Sequence, residues 1–284
     1  MARLGAHSFL WEIEWTPPAA ERMLQAAKAA DLDLIEVALL HPDGVDGKHT
    51  RQVSRDLGVG VTCSLGLPRE ATLPDHPREA EAFLKHALDV SAAMGSPCLT
   101  GVVYGSIGKV SGAPPTEEEY AVIERVLKPV ARHAAGLGLV LGIEACNRYE
   151  THLVNTGAQA AELMARIGEP NLFVHLDTYH MNIEEKGMAA PIEALGSKLG
   201  YLHLSESDRG VPGTGNVDWD ATFRGIAASG YDGPLVLESF LVAHPDIARG
   251  LSLWRPVAPS VDAVMGEGLA FLRERARAHG VVGI

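Results

Sequence analysis

Four apolar runs in this chain each close on a side chain that ligates metals: LVLGIE at Glu144, LFVHLD at Asp177, GYLHLS at His203 and PLVLES at Glu238. The intervals are 33, 26 and 35 residues, about one strand-plus-helix unit each. Singly, each residue has an ordinary use. A buried glutamate can pair with an arginine, Asp177 can cap the helix that follows, and His203 can donate to a carbonyl. Together, at the ends of four successive buried strands, they would be uncompensated charges costing several kcal/mol each, and one shared divalent cation is the simplest compensation.

Three carboxylates and one imidazole form a hard, oxygen-rich set without thiolate. That disfavours a structural zinc and suits Mn²⁺, Co²⁺ or Mg²⁺ with positions left open for substrate oxygens. Glu144 and Glu238 come from strands three places apart, so they approach a bound molecule from different sides. Such a pair beside a cation suits proton removal next to a carbonyl, one carboxylate taking the proton and the other returning one. Just beyond lie Glu150 in EACNRYE, His180 in DTYH and Arg209 in HLSESDR. These three either hydrogen-bond the hydroxyls of a polyol or are solvated loop charge. His7, at the end of the first strand, either faces the same mouth or is a satisfied core histidine. Trp11, Trp15 and Trp254 offer an apolar wall for a sugar face; core or interface packing is the commoner use of tryptophan.

The elements that must position these groups alternate regularly. Strand-like runs fall at Leu4–Phe9, Leu34–Ala38, Gly60–Cys63, Cys98–Val103, Leu139–Glu144, Leu172–Asp177, Gly200–Leu204 and Leu235–Glu238. Between them, stretches such as Ala19–Ala30, Glu79–Met94, Glu117–Leu137 and Gly157–Ile167 carry apolar residues at helical spacing. Gly136 and Gly230 read as helix C-caps, and a last helix over about Val261–His279 closes the series. Eight such units without a Gly-rich dinucleotide fingerprint predict one (β/α)8 barrel spanning residues 1–284, with the longer loops after strands 1, 4, 7 and 8. In that barrel the ends of strands 5 to 8 converge on one mouth.

Composition narrows the rest. The chain has 284 residues, 46% of them hydrophobic and 21% charged, enough for a sizeable core. Its formal net charge of −12 repels polyanions, so no nucleic-acid partner is expected. Cys63, Cys98 and Cys146 show no CxxC spacing and read as buried, reduced thiols of a cytoplasmic enzyme. Neither a signal peptide nor a membrane-spanning run is expected.

The strings IEACNRYETHLVNT, VHLDTYHMNIEE, HLSESDRGVPGTGNVDW and YDGPLVLESF, with TCSLGLP at 62–68 and GVVYGSIGK at 101–109, resemble the ketose 3-epimerases in order and spacing. That family includes the D-tagatose, D-allulose (D-psicose) and L-ribulose 3-epimerases. The resemblance implies a xylose-isomerase-like TIM barrel, one divalent metal per subunit (Mn²⁺, with Co²⁺ or Mg²⁺ as alternatives), and a homodimer or homotetramer. It implies inversion at C3 of a free ketose through a cis-enediolate, linking D-fructose with D-allulose, D-tagatose with D-sorbose, and L-ribulose with L-xylulose. By the same resemblance, Glu144, Asp177, His203 and Glu238 hold the metal. Glu144 and Glu238 are the acid/base pair, and Glu150, His180 and Arg209 hold the O1 to O3 end of the sugar. Where the family often reads GESHRGYLGTG this chain has SESDRGVPGTG, so Ser205, Asp208, Val211 and Pro212 depart from the pattern, as does Val110, where an aromatic is frequent. An aldose–ketose or hydroxypyruvate isomerase on the same barrel is the alternative activity. An AP endonuclease-like nuclease would need more ligands and a basic groove, and a sugar-binding protein would need no opposed glutamates.

Overall fold

A computed structural model describes residues 2–241 and 245–281, with backbone alone at 245–247. Eight strands form a closed barrel in chain order: β1 (Arg3–His7), β2 (Leu34–Ala38), β3 (Gly60–Gly66), β4 (Cys98–Val102), β5 (Val140–Glu144), β6 (Leu172–Asp177), β7 (Leu199–Leu204) and β8 (Pro234–Leu237). Every neighbouring pair is parallel, and β1 closes on β8 with Gly5 opposite Val236. The expected (β/α)8 barrel is therefore the observed architecture. Ser8 and Phe9, read as the end of the first strand, instead belong to a short 3-10 turn, Ser8–Leu10, in which the His7 imidazole accepts from the Phe9 amide. The loop after β5, residues 145–156, is also longer than the one after β1, because it carries its own turns and Tyr104 and Tyr120 tether it through Val154 and Leu153.

Helix ends follow their local chemistry. Thr116 with Glu119, and Thr156 with Gln159, form reciprocal capping boxes at the starts of Glu117–Gly136 and Gly157–Ile167. Gly230 is a left-handed C-cap as expected, whereas Gly136 is the last helical residue and the left-handed turn falls two residues on, at Gly138. The last helix runs Val261–Ala263, through a π-helical turn at Val264–Gly268, into Leu269–Ala278.

Strand period places the chemistry. Leu34, Cys98, Phe173, Tyr201 and Val236 pack together inside the barrel. Two residues further along their strands, on the same face, come Glu36, Thr100, His175, His203 and Glu238. A further step on β6 reaches Asp177. The apolar cluster is thus a floor, and each polar residue stands one pleat above it. Gly142 precedes Glu144 by the same step, and a Cβ there would lie 2.1 Å from Thr100 Oγ1 and 2.5 Å from the Phe173 ring. Glycine is required so that Phe173 can fill the floor under Glu144. Gly142→Ala should therefore overpack the interior, lowering stability by about 1–3 kcal/mol or more in urea unfolding.

Candidate active site

The barrel mouth gathers Glu144, the last residue of β5, Asp177, the last of β6, His203, one before the end of β7, and Glu238, one past β8. All four are more than nine-tenths buried. His203 Nδ1 lies 3.4 Å from Glu238 Oε1, 3.8 Å from Glu144 Oε1 and 3.8 Å from Asp177 Oδ2, and makes no hydrogen bond. Its other nitrogen, Nε2, is 2.7 Å from Glu36 Oε2 on β2. An imidazole nitrogen buried without a partner and ringed by three carboxylates suits a hard divalent cation. Asp177, His203 and Glu238 bring ligand atoms within 4.8 Å of one another. Glu144 forms comparable groups with His175 and His203 and with Cys146 and His180. In the last of these, burial holds the Cys146 thiol well above its usual range, so it stays protonated. Asp177 also serves the ordinary use read from sequence: its Oδ1 accepts from the Tyr179 amide 2.7 Å away, capping helix Thr178–Glu184 and leaving Oδ2 for the site.

Glu150 and Arg209, in loops, and His180, which lies in helix Thr178–Glu184 and not in a loop as expected, converge on the same mouth. Arg209 Nη1 donates to Glu238 Oε2 at 2.5 Å and lies 3.4 Å from Asp177 Oδ2, while Nη2 is 3.3 Å from Glu150 Oε1. The guanidinium is sandwiched between the Tyr179 ring at 4.0 Å and the Phe240 ring at 4.7 Å. Its backbone takes a left-handed φ of 62°, and its carbonyl accepts from Ser239 Oγ at 2.6 Å. His180 Nδ1 accepts from the Asn147 amide at 3.1 Å, so Nε2 is turned towards Glu144 and Asp177, each 3.8 Å away, and Glu150, 3.9 Å away. The solvated-loop reading is excluded: Glu150, His180 and Arg209 are all buried.

Burial sets the electrostatics. It is the main cause that raises Glu144 well above the usual carboxylate value and pushes Glu238 up to about 8, against attraction from His203. Asp177 behaves oppositely. Burial opposes its charge, yet His180, His203 and Arg209 hold it below its usual value. Burial also works against His203, but Glu36 and Glu238 hold it well above the usual imidazole value, so protons and a cation compete for Nδ1. His7, by contrast, is lowered to about 4, chiefly by burial.

A cavity of about 340 Å³ opens above this floor, within the range of small-molecule pockets. His7, Glu144, His203 and Glu238 line one end, and Phe9, Ile13, Leu40, Leu67, Ile107 and Phe240 supply apolar wall. The tryptophans do not line it. Trp15 is core, with its indole N–H on Thr50 Oγ1 at 3.0 Å, Trp11 packs against the core, and Trp254 is exposed and lines a second cavity together with Asn147, Glu150, Tyr179 and Arg209. Phenylalanines take the wall, with Phe9 two residues past the end of β1 and Phe240 three past the end of β8. Glu36, Asn147 and Tyr179 also belong to the site and escaped the sequence reading. A lone glutamate inside the apolar run LIEVA was the available signal for Glu36.

The chain matches the family model described as the xylose isomerase-like TIM barrel over residues 24–275. It is 36% identical over 277 residues to an L-ribulose 3-epimerase of Methylomonas sp. (strain DH-1), covering 95% of this chain and 96% of that protein. It is 35% identical over 279 residues to a ketose 3-epimerase of Arthrobacter globiformis, covering 96% of each. The chain belongs to the ketose 3-epimerase family. The crystal structure of the family's D-allulose 3-epimerase from Methylomonas sp. in complex with D-allulose superposes with a TM-score of 0.91 at 35% identity, covering 96% of this chain and 97% of that one. These family members are isomerases. No helix among the described residues is long and apolar enough to cross a membrane.

The departures from the ketose 3-epimerase pattern cluster in the loop that carries Arg209. The Ser205 backbone exchanges two hydrogen bonds with the Thr178 hydroxyl, its carbonyl accepting at 2.6 Å and its amide donating at 2.8 Å, while Asp208 caps Gly210 and pairs with Arg255. Val211 is buried, and Pro212 packs where a Cβ on Gly268 would clash. Glu206 is the hub: one carboxylate oxygen accepts from the Ser207 and Val217 amides, the other from the Gly213 amide and Trp219 Nε1, all within 3.2 Å. Its own carbonyl accepts from the Arg209 amide at 2.8 Å. Glu206→Gln keeps the volume but turns an NH₂ towards two donors, stranding each at about 1–3 kcal/mol. A lower urea midpoint and faster proteolysis within 205–217 are the expected outcomes.

Proposed function

We propose that this chain is a metal-dependent ketose 3-epimerase, a cytoplasmic homodimer or homotetramer in which residues 1–284 form one catalytic barrel domain. D-Fructose with D-allulose, D-tagatose with D-sorbose and L-ribulose with L-xylulose are the substrate pairs. The observation that carries this reading is the pair of buried carboxylates, Glu144 and Glu238, flanking His203 at the floor of one largely apolar cavity. Burial raises both towards the range where a carboxyl group gives and takes protons near neutral pH. The reading is supported further by relatives named for 3-epimerisation of ketoses at 35–36% identity over nearly the whole chain.

Glu144, Asp177, His203 and Glu238 would hold the metal, Mn²⁺ first, with Co²⁺ or Mg²⁺ as alternatives. When bound, a divalent ion polarises the ketose oxygens beside it and compensates the charge of an enediolate. The chain's own groups do the remainder. One glutamate removes the C3 proton from one face, and the other returns a proton to the opposite face of the planar cis-enediolate. Arg209, His180 and Glu150 hold the hydroxyl oxygens at the reacting end, and the apolar wall excludes water from the intermediate.

Turnover of a ketose in D₂O should place deuterium at C3 of the epimerised product. Label at C1 with aldose as the main product would instead establish a C1–C2 isomerase. The pH dependence of metal binding has a definite sign. Because the folded value of Glu238 is raised from 4.5 to about 8, the stability of its protonated form is fully present below pH 4.5 and is lost as pH rises through about 8. Glu144 is raised in the same direction, while Asp177 is lowered and stays ionised across this window. A cation binds the ionised carboxylates, so the gain in Tm on adding Mn²⁺ to chelator-stripped protein should be larger at pH 8 than at pH 6, and activity should return with it. An equal gain at both pH values would contradict this assignment.

A further inference from the structure

Glu36 stands on β2, across the barrel from the strands that carry the proposed metal ligands. It is fully buried and sits where such barrels usually place an aliphatic side chain. Its Oε2 is 2.7 Å from His203 Nε2, and its Oε1 makes no hydrogen bond, with His7 Nε2 3.7 Å away. An ionised carboxylate only accepts, so Nε2 must carry the proton. A neutral His203 then has its lone pair on Nδ1, the atom that faces Glu144, Asp177 and Glu238.

The imidazole plane is fixed by its neighbours as well. His175 meets it edge to face with ring centroids 4.2 Å apart, and Tyr201 does so at 5.7 Å. Those two rings are anchored in turn: His175 Nδ1 is 3.0 Å from Thr100 Oγ1 on β4, and the Tyr201 hydroxyl is 2.7 Å from Thr62 Oγ1 on β3. Strands β2, β3 and β4 thereby supply a polar tier beneath the mouth, and Glu36 is the member of it that bonds His203 directly.

We propose that Glu36 is a positioning residue that sets the divalent-ion affinity of the site, by holding His203 with its proton on Nε2 and Nδ1 open to the ion. This rests on the metal-centre reading above. Partners of this kind are typically worth roughly 10–100-fold in metal affinity.

The test titrates Mn²⁺ by calorimetry into full-length protein stripped of metal, for wild type, Glu36→Gln and Glu36→Leu, with the metal-free Tm of each recorded alongside. A Gln carbonyl can still accept from Nε2–H without the charge, whereas Leu removes the acceptor. The expected order of affinity is wild type, then Gln about 10-fold weaker, then Leu approaching 100-fold weaker, whatever the metal-free Tm does. A purely structural role would move Tm and leave the affinity of the folded protein unchanged. Affinities within about threefold of wild type in the folded variants would overturn the proposal. If Glu36→Leu does not fold, the Gln variant decides alone. A wild-type protein that takes no divalent ion would overturn the metal-centre reading and this inference with it, whereas a wild type that binds beside variants that bind equally overturns the inference alone.

Discussion

The constraint on which the rest depends is a charge imbalance in a dry space. Glu36, Glu144, Glu150, Asp177 and Glu238 are all buried at or below the barrel mouth, and among the described residues Arg209 is the buried side chain with a permanent positive charge. Five carboxylates facing one guanidinium and a few imidazoles cannot all ionise without further compensation. The molecule divides the problem. Asp177 and Glu36 are held ionised by histidines and, at Asp177, by Arg209, while Glu144 and Glu238 are pushed towards their protonated forms. On the proposed reading, a cation would compete with protons for Glu144 and Glu238, the two groups that the proposed chemistry uses as acid and base.

Holding this arrangement has structural costs that the scaffold absorbs elsewhere. Arg209 sits at a left-handed φ that glycine would take more readily, so its loop must hold it there. Glu206 gathers four N–H donors beneath the loop, Ser239 secures the Arg209 carbonyl, and Tyr179 and Phe240 close on both faces of the guanidinium. Inside the barrel, an inward glycine at position 142 leaves room for Phe173, so the floor is filled and the polar tier above it cannot sink.

The legible part of the site was the part written at strand ends. Glu144, Asp177, His203 and Glu238 stand out because apolar runs terminate on them at unit spacing, and the barrel follows from the same spacing. Glu36 and His175 were harder to read. They lie in mid-strand, and whether such a residue faces the interior is set by register against neighbours that sequence does not state. The contact between Glu36 and His203 joins residues 167 positions apart. Residues beyond the strand ends were legible by type but not by placement: spacing left Glu150, His180 and Arg209 between site and solvent, and only packing, with His180 on a helix, decides. Of the tryptophans, read as wall or as packing, Trp11 and Trp15 go to packing for the same reason. Trp15 faces Thr50 in the core, and the phenylalanines next to the strand ends reach the cavity.

The cavity itself is divided along the barrel. Its polar pole comes from His7 on β1 and from Glu144, His203 and Glu238 at the ends of β5, β7 and β8. Strands β1 to β4 and the segments after them supply apolar groups, among them Phe9, Leu40, Leu67 and Ile107, together with the polar side chains of Glu14, His41, Ser64, Arg69 and Ser106. On the proposed reading, the reacting carbons of a ketose lie at the polar pole and the remaining carbons against the apolar wall. The apolar surface there reads shape, while Glu14, His41, Ser64, Arg69 and Ser106 offer hydrogen-bonding groups away from the reacting end. On that reading the two halves of the sheet share the work, joined through the tier of Glu36, Thr62 and Thr100 that reaches to the rings of His203, Tyr201 and His175. On the same reading, a change in the wall would alter the range of sugars without touching a carboxylate, while a change in that tier would act on the chemistry from the opposite side of the barrel.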